Sequence, residues 1–195
     1  MGGHDTKRLL RETARTVRRR VAGDRLTRAS AELCARLLAW PTFAAAERLV
    51  AYCPIDGEVD PGDVVAAAHA AGMPVYLPRT DASGMTFVAP GGPLQPGRYG
   101  IPEPRSGEVL ADAGRETMIL VPGVAFDLAG TRLGRGGGHY DRALSVWPSA
   151  TTVGLAYEFQ ILPSLPRDPW DVPVSAIFTD ARSIVPAAPA AVGRT

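Results

Sequence analysis

Apolar positions recur with helical spacing at the start of the chain. Leu10, Ala14, Val17 and Val21 lie four, three and four residues apart, which lays one apolar stripe along a helix over 6–21. Lys7, Arg11, Arg15 and Arg18 form a basic stripe beside it by the same geometry. Leu26, Leu33, Leu37 and Leu38 predict a second helix over 26–39, stopped by Pro41. The pattern then changes to short continuous apolar runs at 49–53, 74–77, 85–88, 118–121, 152–156 and 174–178, several of them closed by proline. Such runs suit strands that are buried on both faces. Asp60-Pro61 opens a helix over 64–71 with Gly72 past its end, and a last helix is predicted over about 138–146. Residues 89–107 are dense in Pro and Gly and read as loop. The alternation predicts an α/β fold with a mostly parallel central sheet and helices on both faces. One domain is expected over 1–185, followed by a loose Ala/Pro-rich tail over 186–195.

Composition narrows the class. A chain of 195 residues with 46% hydrophobic and 21% charged side chains is ordinary for a single soluble domain. No run approaches the ~20 apolar residues of a membrane span, and the N-terminus lacks the apolar centre of a signal peptide. A cytoplasmic protein without a membrane partner is therefore expected. Cys34 and Cys53 form no CxxC pair, and only His4, His69 and His139 accompany them, which argues against zinc and against a disulfide framework. The net charge of +1 conceals an asymmetry, since residues 1–50 carry 11 basic and 5 acidic side chains. Nucleic acid is one reading of that excess. The interleaved aromatics and motifs of RNA-binding modules are missing, and a basic helix facing a small anionic ligand explains the charge equally.

The chemistry concentrates in Arg132-Leu133-Gly134-Arg135-Gly136-Gly137-Gly138-His139-Tyr140-Asp141, which follows the apolar run at 118–121. Glycines let backbone N–H groups approach phosphate oxygens, arginines supply charge, and Asp141 is a candidate magnesium ligand. Neither GxxxxGK[ST] nor GxGxxG is present, because His139 stands where the third glycine would follow Gly134 and Gly136. The loop thus signals an anion site without naming the anion, against the alternative of a flexible surface turn. Lys7, the single lysine, suits a phosphate but equally a solvated helix face. Glu58 follows a strand in Asp56-Gly57-Glu58-Val59-Asp60 and suits the N–H edge of a pterin-like ring. The plainer alternative has Asp60 capping a helix and leaves Asp56 and Glu58 in solvent. Asp171 alone reads as a turn residue, and His69 among alanines reads as structural. No GxSxG elbow or Ser-His-Asp order appears.

Taken together, these segments resemble the 5-formyltetrahydrofolate cyclo-ligase (methenyltetrahydrofolate synthetase) family. The resemblance runs from Lys7 to about Phe178, through Lys7-Arg8-Leu9-Leu10-Arg11, Gly57-Glu58-Val59-Asp60, Leu77-Pro78-Arg79, Met85-Thr86-Phe87, Tyr99-Gly100-Ile101-Pro102-Glu103-Pro104 and Asp171-Val172-Pro173-Val174. Its most specific part is Val121-Pro122-Gly123-Val124-Ala125-Phe126-Asp127 running into the glycine loop. The resemblance implies a three-layer α/β/α sandwich and an ATP- and magnesium-dependent closure of 5-formyltetrahydrofolate, or its polyglutamates, to 5,10-methenyltetrahydrofolate. It implies ATP contacts from Lys7, Arg8, Leu9, Leu10 and Arg11 and from Arg132, Leu133, Gly134, Arg135, Gly136, Gly137, Gly138, His139 and Tyr140. Lys7, Arg132 and Tyr140 would be the catalytic residues, and Asp141 and Asp171 the magnesium ligands. Cys53 and Glu58 would lie at the folate, bordered by Arg135, Gly136, Gly137, Gly138 and His139. No nucleic-acid partner is expected, and the chain is taken as a monomer, although the sequence does not give the oligomeric state. Three positions depart from the usual pattern: His139 replaces a tyrosine, Pro61 a threonine, and Ser175 an acidic residue. The rival readings are a binding paralogue without turnover and a sugar-phosphate isomerase that uses the same anion loop.

Overall fold

The apolar runs form strands because both of their faces are covered. Leu49, Ala51, Met118, Leu120, Ala176 and Phe178 turn to one side of a central sheet, while Val50, Ile119, Val121 and Ile177 turn to the other. The computed structural model describes residues 3–97 and 100–187. Tyr99 and the part of the expected tail beyond residue 187 lie outside the described residues.

Helices α1 (Gly3–Arg19), α2 (Gly23–Leu38) and α3 (Pro41–Ala44) precede strand β1 (Arg48–Val50). Helix α4 (Gly62–Ala70) then leads to β2 (Val75–Thr80) and β3 (Met85–Pro90). Residues 89–107, expected as loop, instead carry the short strands β4 (Gln95–Pro96) and β5 (Pro102–Glu103) and the start of β6 (Gly107–Val109). Pairing across hairpins, which local composition does not report, orders this segment. Strand β7 (Thr117–Pro122) is followed by β8 (Ala125–Asp127), β9 (Arg132–Leu133) and helix α5 (His139–Ser145). Strands β10 (Thr151–Leu155), β11 (Ile161–Leu162), β12 (Ala176–Phe178) and β13 (Ser183–Ile184) complete the described chain.

Among the described residues the main sheet has eight strands in the order β13-β12-β10-β7-β1-β2-β3-β6. The five from β12 to β2 run parallel, and β13, β3 and β6 pair antiparallel at the edges. Leu33 and Leu37 of α2 and Val64 and Ala68 of α4 cover one face. Ala143 and Leu144 of α5 cover the other, with Phe87 and Trp147 packed beside them at 5.7 Å between ring centres. This is the expected α/β/α layering.

Two consequences position the site. The chain leaves β1 toward β2 on one side, whereas β7 continues to β10 on the other, so the carboxyl ends of β1 and β7 flank a topological switch point. A hairpin that the sequence reading did not anticipate also stands between β7 and the glycine loop. Strands β8 and β9 pair antiparallel and form a small second sheet with β11. Buried Asp127 holds its turn, accepting hydrogen bonds from the N–H groups of Ala129, Thr131 and Leu165 at 2.9–3.0 Å. Phe126 lies against Gly123 and Gly154, where an added Cβ would come within 2.4 and 2.5 Å of its ring. The glycine loop therefore leaves β9 and is carried over the end of the main sheet.

Candidate active site

The carboxyl ends of β1 and β7, helix α1 and the glycine loop enclose a cavity of about 820 Å³. Helix α1 lies along it, and its basic stripe faces inward: Lys7 and Arg18 are buried, and Arg11 and Arg15 are half-buried. The apolar stripe beside it is the less buried one, with Val17 exposed and Leu10 packed on the small sheet near Leu133 and Leu165. From Lys7 to Arg18 the helix spans about 16 Å at its standard rise per residue. Much of the basic excess of the N-terminal segment thus lies over the cavity.

At one end of the cavity, the Lys7 ammonium donates to Asp171 Oδ2 at 2.6 Å and to Asp168 Oδ2 at 2.7 Å. Burial pulls the Lys7 pKa down, but these two carboxylates outweigh it and hold the ammonium above the ordinary lysine range. Burial pushes Asp171 up in turn, and Lys7 with the Asp168 N–H brings it below the usual aspartate range. Arg132, on β9, donates to Asp141 Oδ1 at 2.8 Å and lies over the Tyr140 ring at 5.6 Å. The Val172 N–H donates to the same Asp141 oxygen at 3.3 Å. Midway along α1, Arg11 Nε donates to the Gly134 carbonyl at 2.8 Å. Gly136 and Gly138 take positive φ, the left-handed region that glycine enters without a steric penalty.

At the other end Glu58 is buried, so it is not the solvated carboxylate of the plainer alternative. Burial raises its pKa above the ordinary glutamate range, against the pull of Arg135 and Arg18. Its backbone carbonyl accepts from the Tyr157 hydroxyl at 3.3 Å, which in turn meets Ser30 on α2 at 3.1 Å. Asp60 is not the helix cap of the plainer reading: Pro61 holds the N-cap position of α4, and Asp60 accepts from the Gly62 N–H at 2.9 Å in the turn that leads into it. Arg135 crosses the cavity from the glycine loop, donating from Nε to Glu58 at 3.2 Å and from one Nη to Asp56 at 2.9 Å. Cys53 lines the wall nearby, its thiol pushed up by burial.

Most of the expected site residues therefore line one cavity. Lys7, Arg11, Cys53, Glu58, Arg132 to Asp141 and Asp171 do so, but Arg8, Leu9 and Leu10 do not. Arg8 pairs in solvent with Glu12 one helical turn on, and Leu9 is exposed, because successive residues of a helix point about 100° apart. The sequence reading missed Asp168, Arg15 and Trp170 at the cavity, and Tyr157 and Ser30 beneath Glu58. The basic spacing of α1 signalled Arg15, whereas the others carry no local signal.

Buried polar atoms here lack protein partners. Among the described residues, Arg15 Nε, Arg18 Nη1, Arg132 Nε and the Tyr140 hydroxyl make no hydrogen bond. Three of the four are cationic donors, which suits a polyanion. For a metal, no group of three or more His, Cys, Asp or Glu side chains is gathered as a protein-only cage among the described residues. Magnesium needs no such cage when phosphate oxygens and water complete its shell, and one or two carboxylates suffice. Asp141 engages Oδ1 and Asp171 engages Oδ2 in the bonds above, and neither bond uses the second oxygen. The donor set fits a magnesium ion held chiefly through phosphate.

A sequence model of the 5-formyltetrahydrofolate cyclo-ligase family matches residues 4–180. The Escherichia coli 5-formyltetrahydrofolate cyclo-ligase is 34% identical over 156 residues, covering 75% of this chain and 85% of that one. The Mycolicibacterium smegmatis enzyme of the same name is 33% identical over 144 residues, covering 69% and 74%. The solved structure of Aquifex aeolicus 5,10-methenyltetrahydrofolate synthetase superposes with a TM-score of 0.82 at 32% identity and 96% coverage of both chains. The Mycoplasma pneumoniae synthetase shares the fold, with a TM-score of 0.72 at 22% identity over 89% of this chain and 98% of that one. With a family model matching residues 4–180, a relative 34% identical and a fold shared over nearly its whole length, this chain belongs to the 5-formyltetrahydrofolate cyclo-ligase family of enzymes.

Proposed function

We propose that this chain closes 5-formyltetrahydrofolate to 5,10-methenyltetrahydrofolate while ATP is converted to ADP and phosphate. One observation carries the reading: a single cavity has a cation-lined end at Lys7 and Arg132, a buried carboxylate at Glu58, and one glycine loop that reaches both. A formamide oxygen is a poor leaving group. Transfer of the γ-phosphoryl group to it makes it a good one, N10 attacks the activated carbon, and phosphate departs.

The chain's part is positioning and charge stabilisation. Lys7, Arg11 and Arg132 neutralise the triphosphate, and the N–H groups of the glycine loop approach it closely because no Cβ intervenes. Arg132 and Lys7 stabilise charge on the transferring group, with the Tyr140 hydroxyl at the junction of the two ligands. Glu58 accepts hydrogen bonds from the pterin edge, and Cys53 packs beside it. Asp141 and Asp171 would hold magnesium, which would supply charge neutralisation for the phosphates. The same reading takes the chain as a cytoplasmic monomer acting on mono- and polyglutamylated folate, with no nucleic-acid or membrane partner. In keeping with it, no helix among the described residues is long and apolar enough to cross a membrane.

The test follows the methenyltetrahydrofolate chromophore formed from 5-formyltetrahydrofolate, with ATP and magnesium each supplied or omitted. A signal that needs both is expected. A well-folded sample that forms none overturns the reading.

A further inference from the structure

Arg135 belongs to the glycine loop yet directs its donors to the opposite wall of the cavity. In the structure it bonds Glu58 Oε1 through Nε and Asp56 Oδ2 through Nη, joining the glycine loop to the turn after β1 across 77 and 79 residues of chain. The second Glu58 oxygen accepts the Ile55 N–H at 3.3 Å. Both oxygens are therefore engaged, and a ring that approaches Glu58 through two adjacent N–H groups competes with Arg135 for one of them. A triphosphate in the glycine loop offers the same guanidinium a more highly charged acceptor.

We propose that Asp56 is a positioning residue that couples the two ligands, by keeping Arg135 on Glu58 until an anion in the glycine loop takes the arginine away. This rests on the reading of the cavity as a nucleotide and folate site. Asp56 is placed for the task and for little else. Its side chain is 60% exposed, so packing does not hold it there. It is the one non-glycine residue with positive φ among the described residues, at 52°, in a tight turn with Gly57, and from that turn its carboxylate meets Arg135. Once Arg135 leaves, Arg18 remains as a counter-charge. It is buried beneath the same turn, its Cγ close to Gly57 and one Nη without a partner among the described residues.

Either ligand alone must break the Arg135 bridge, but the two together break it once. Their affinities then rise together, by the same factor in each direction. The experiment titrates 5-formyltetrahydrofolate calorimetrically, with and without a saturating non-hydrolysable ATP analogue and magnesium. The wild type is expected to bind the folate about fivefold or more tightly with the nucleotide present. Asp56→Asn keeps a residue that tolerates positive φ and removes only the charge. It is expected to tighten folate alone and to cut the coupling about two- to fivefold, the range of a partly exposed ion pair, with Tm unchanged. A structural role would move Tm and leave the coupling factor alone. Independent binding of the two ligands in the wild type overturns the proposal, as does an Asp56→Asn variant with wild-type coupling. A wild type that turns over but shows no coupling removes the Asp56 device alone. One that binds neither ligand removes the site reading and the proposal with it.

Discussion

Lys7 Nζ lies 2.6 Å from Asp171 Oδ2, so the first turns of the first helix are tied to a residue 164 positions later, just before the last parallel strand. Asp168 joins the same ammonium at 2.7 Å. The bond closes one wall of the cavity and presents the chain's single lysine to it. Lys7 is thus a structural cation and a candidate phosphate ligand at once.

Replacing Lys7 by Met removes both. The two aspartates lose their shared cation, and nucleotide affinity is expected to fall about 10- to 100-fold, the range of one or two charged hydrogen bonds. The pH dependence carries a sign. Because the folded-state pKa of Lys7 is raised, its stabilisation is complete below the ordinary lysine value and is lost as pH rises through the folded value. Asp171 is depressed, so its share holds above the ordinary aspartate value and is lost as pH falls through the folded one. Thermal melts across pH should show both losses in the wild type. Lys7→Met should lack the alkaline loss, and an alkaline limb identical to the wild type's would refute this account of Lys7.

Asp141 carries a similar double role. A sequence view makes Asp141→Ala a clean loss of the metal site with the fold intact. The structure adds Arg132, whose side chain is 4% exposed and which has Asp141 as its carboxylate partner. Truncating Asp141 leaves a buried guanidinium without its counter-charge, at a cost of about 3 kcal/mol. Denaturant melts should show that loss, with a smaller one in Asp141→Asn, which keeps an oxygen toward Arg132. Equal stability of Asp141→Ala and wild type would sink the argument.

Glu58 should trade stability for activity. Burial raises its pKa, so the ionised form is disfavoured in the fold and the penalty persists at neutral pH. Glu58→Gln keeps the shape and drops the charge. Its Tm is expected to equal or exceed the wild type's at neutral pH, and any gain should shrink as pH falls through the folded pKa of Glu58 and be gone below the ordinary glutamate value. Folate affinity should fall, while nucleotide affinity should hold or rise, because Arg135 is then less tightly held. A marked loss of Tm together with unchanged folate binding contradicts the role given to Glu58.

What the sequence by itself determined is local or periodic. Apolar runs at 118–121 and 152–156 meant strands covered on both faces, and the glycine density of 134–138 meant a loop, because each property belongs to adjacent residues; the structure places that loop on the cavity wall. The spacing of Lys7, Arg11, Arg15 and Arg18 placed four cations on one helix face. It did not say that this face turns inward, since periodicity defines faces and only tertiary packing chooses which one is covered. The pairing of β6 with β3 and of β8 with β11 joins strands that are not neighbours in the chain, so local composition was silent about them. Tertiary structure alone brought Asp168 and Asp171 to Lys7, set Tyr157 beneath Glu58, and laid Arg135 across to Asp56. These contacts join residues 79 to 164 positions apart, and an ion pair at that separation exists only once the chain has paid the entropy of closing the loop between them.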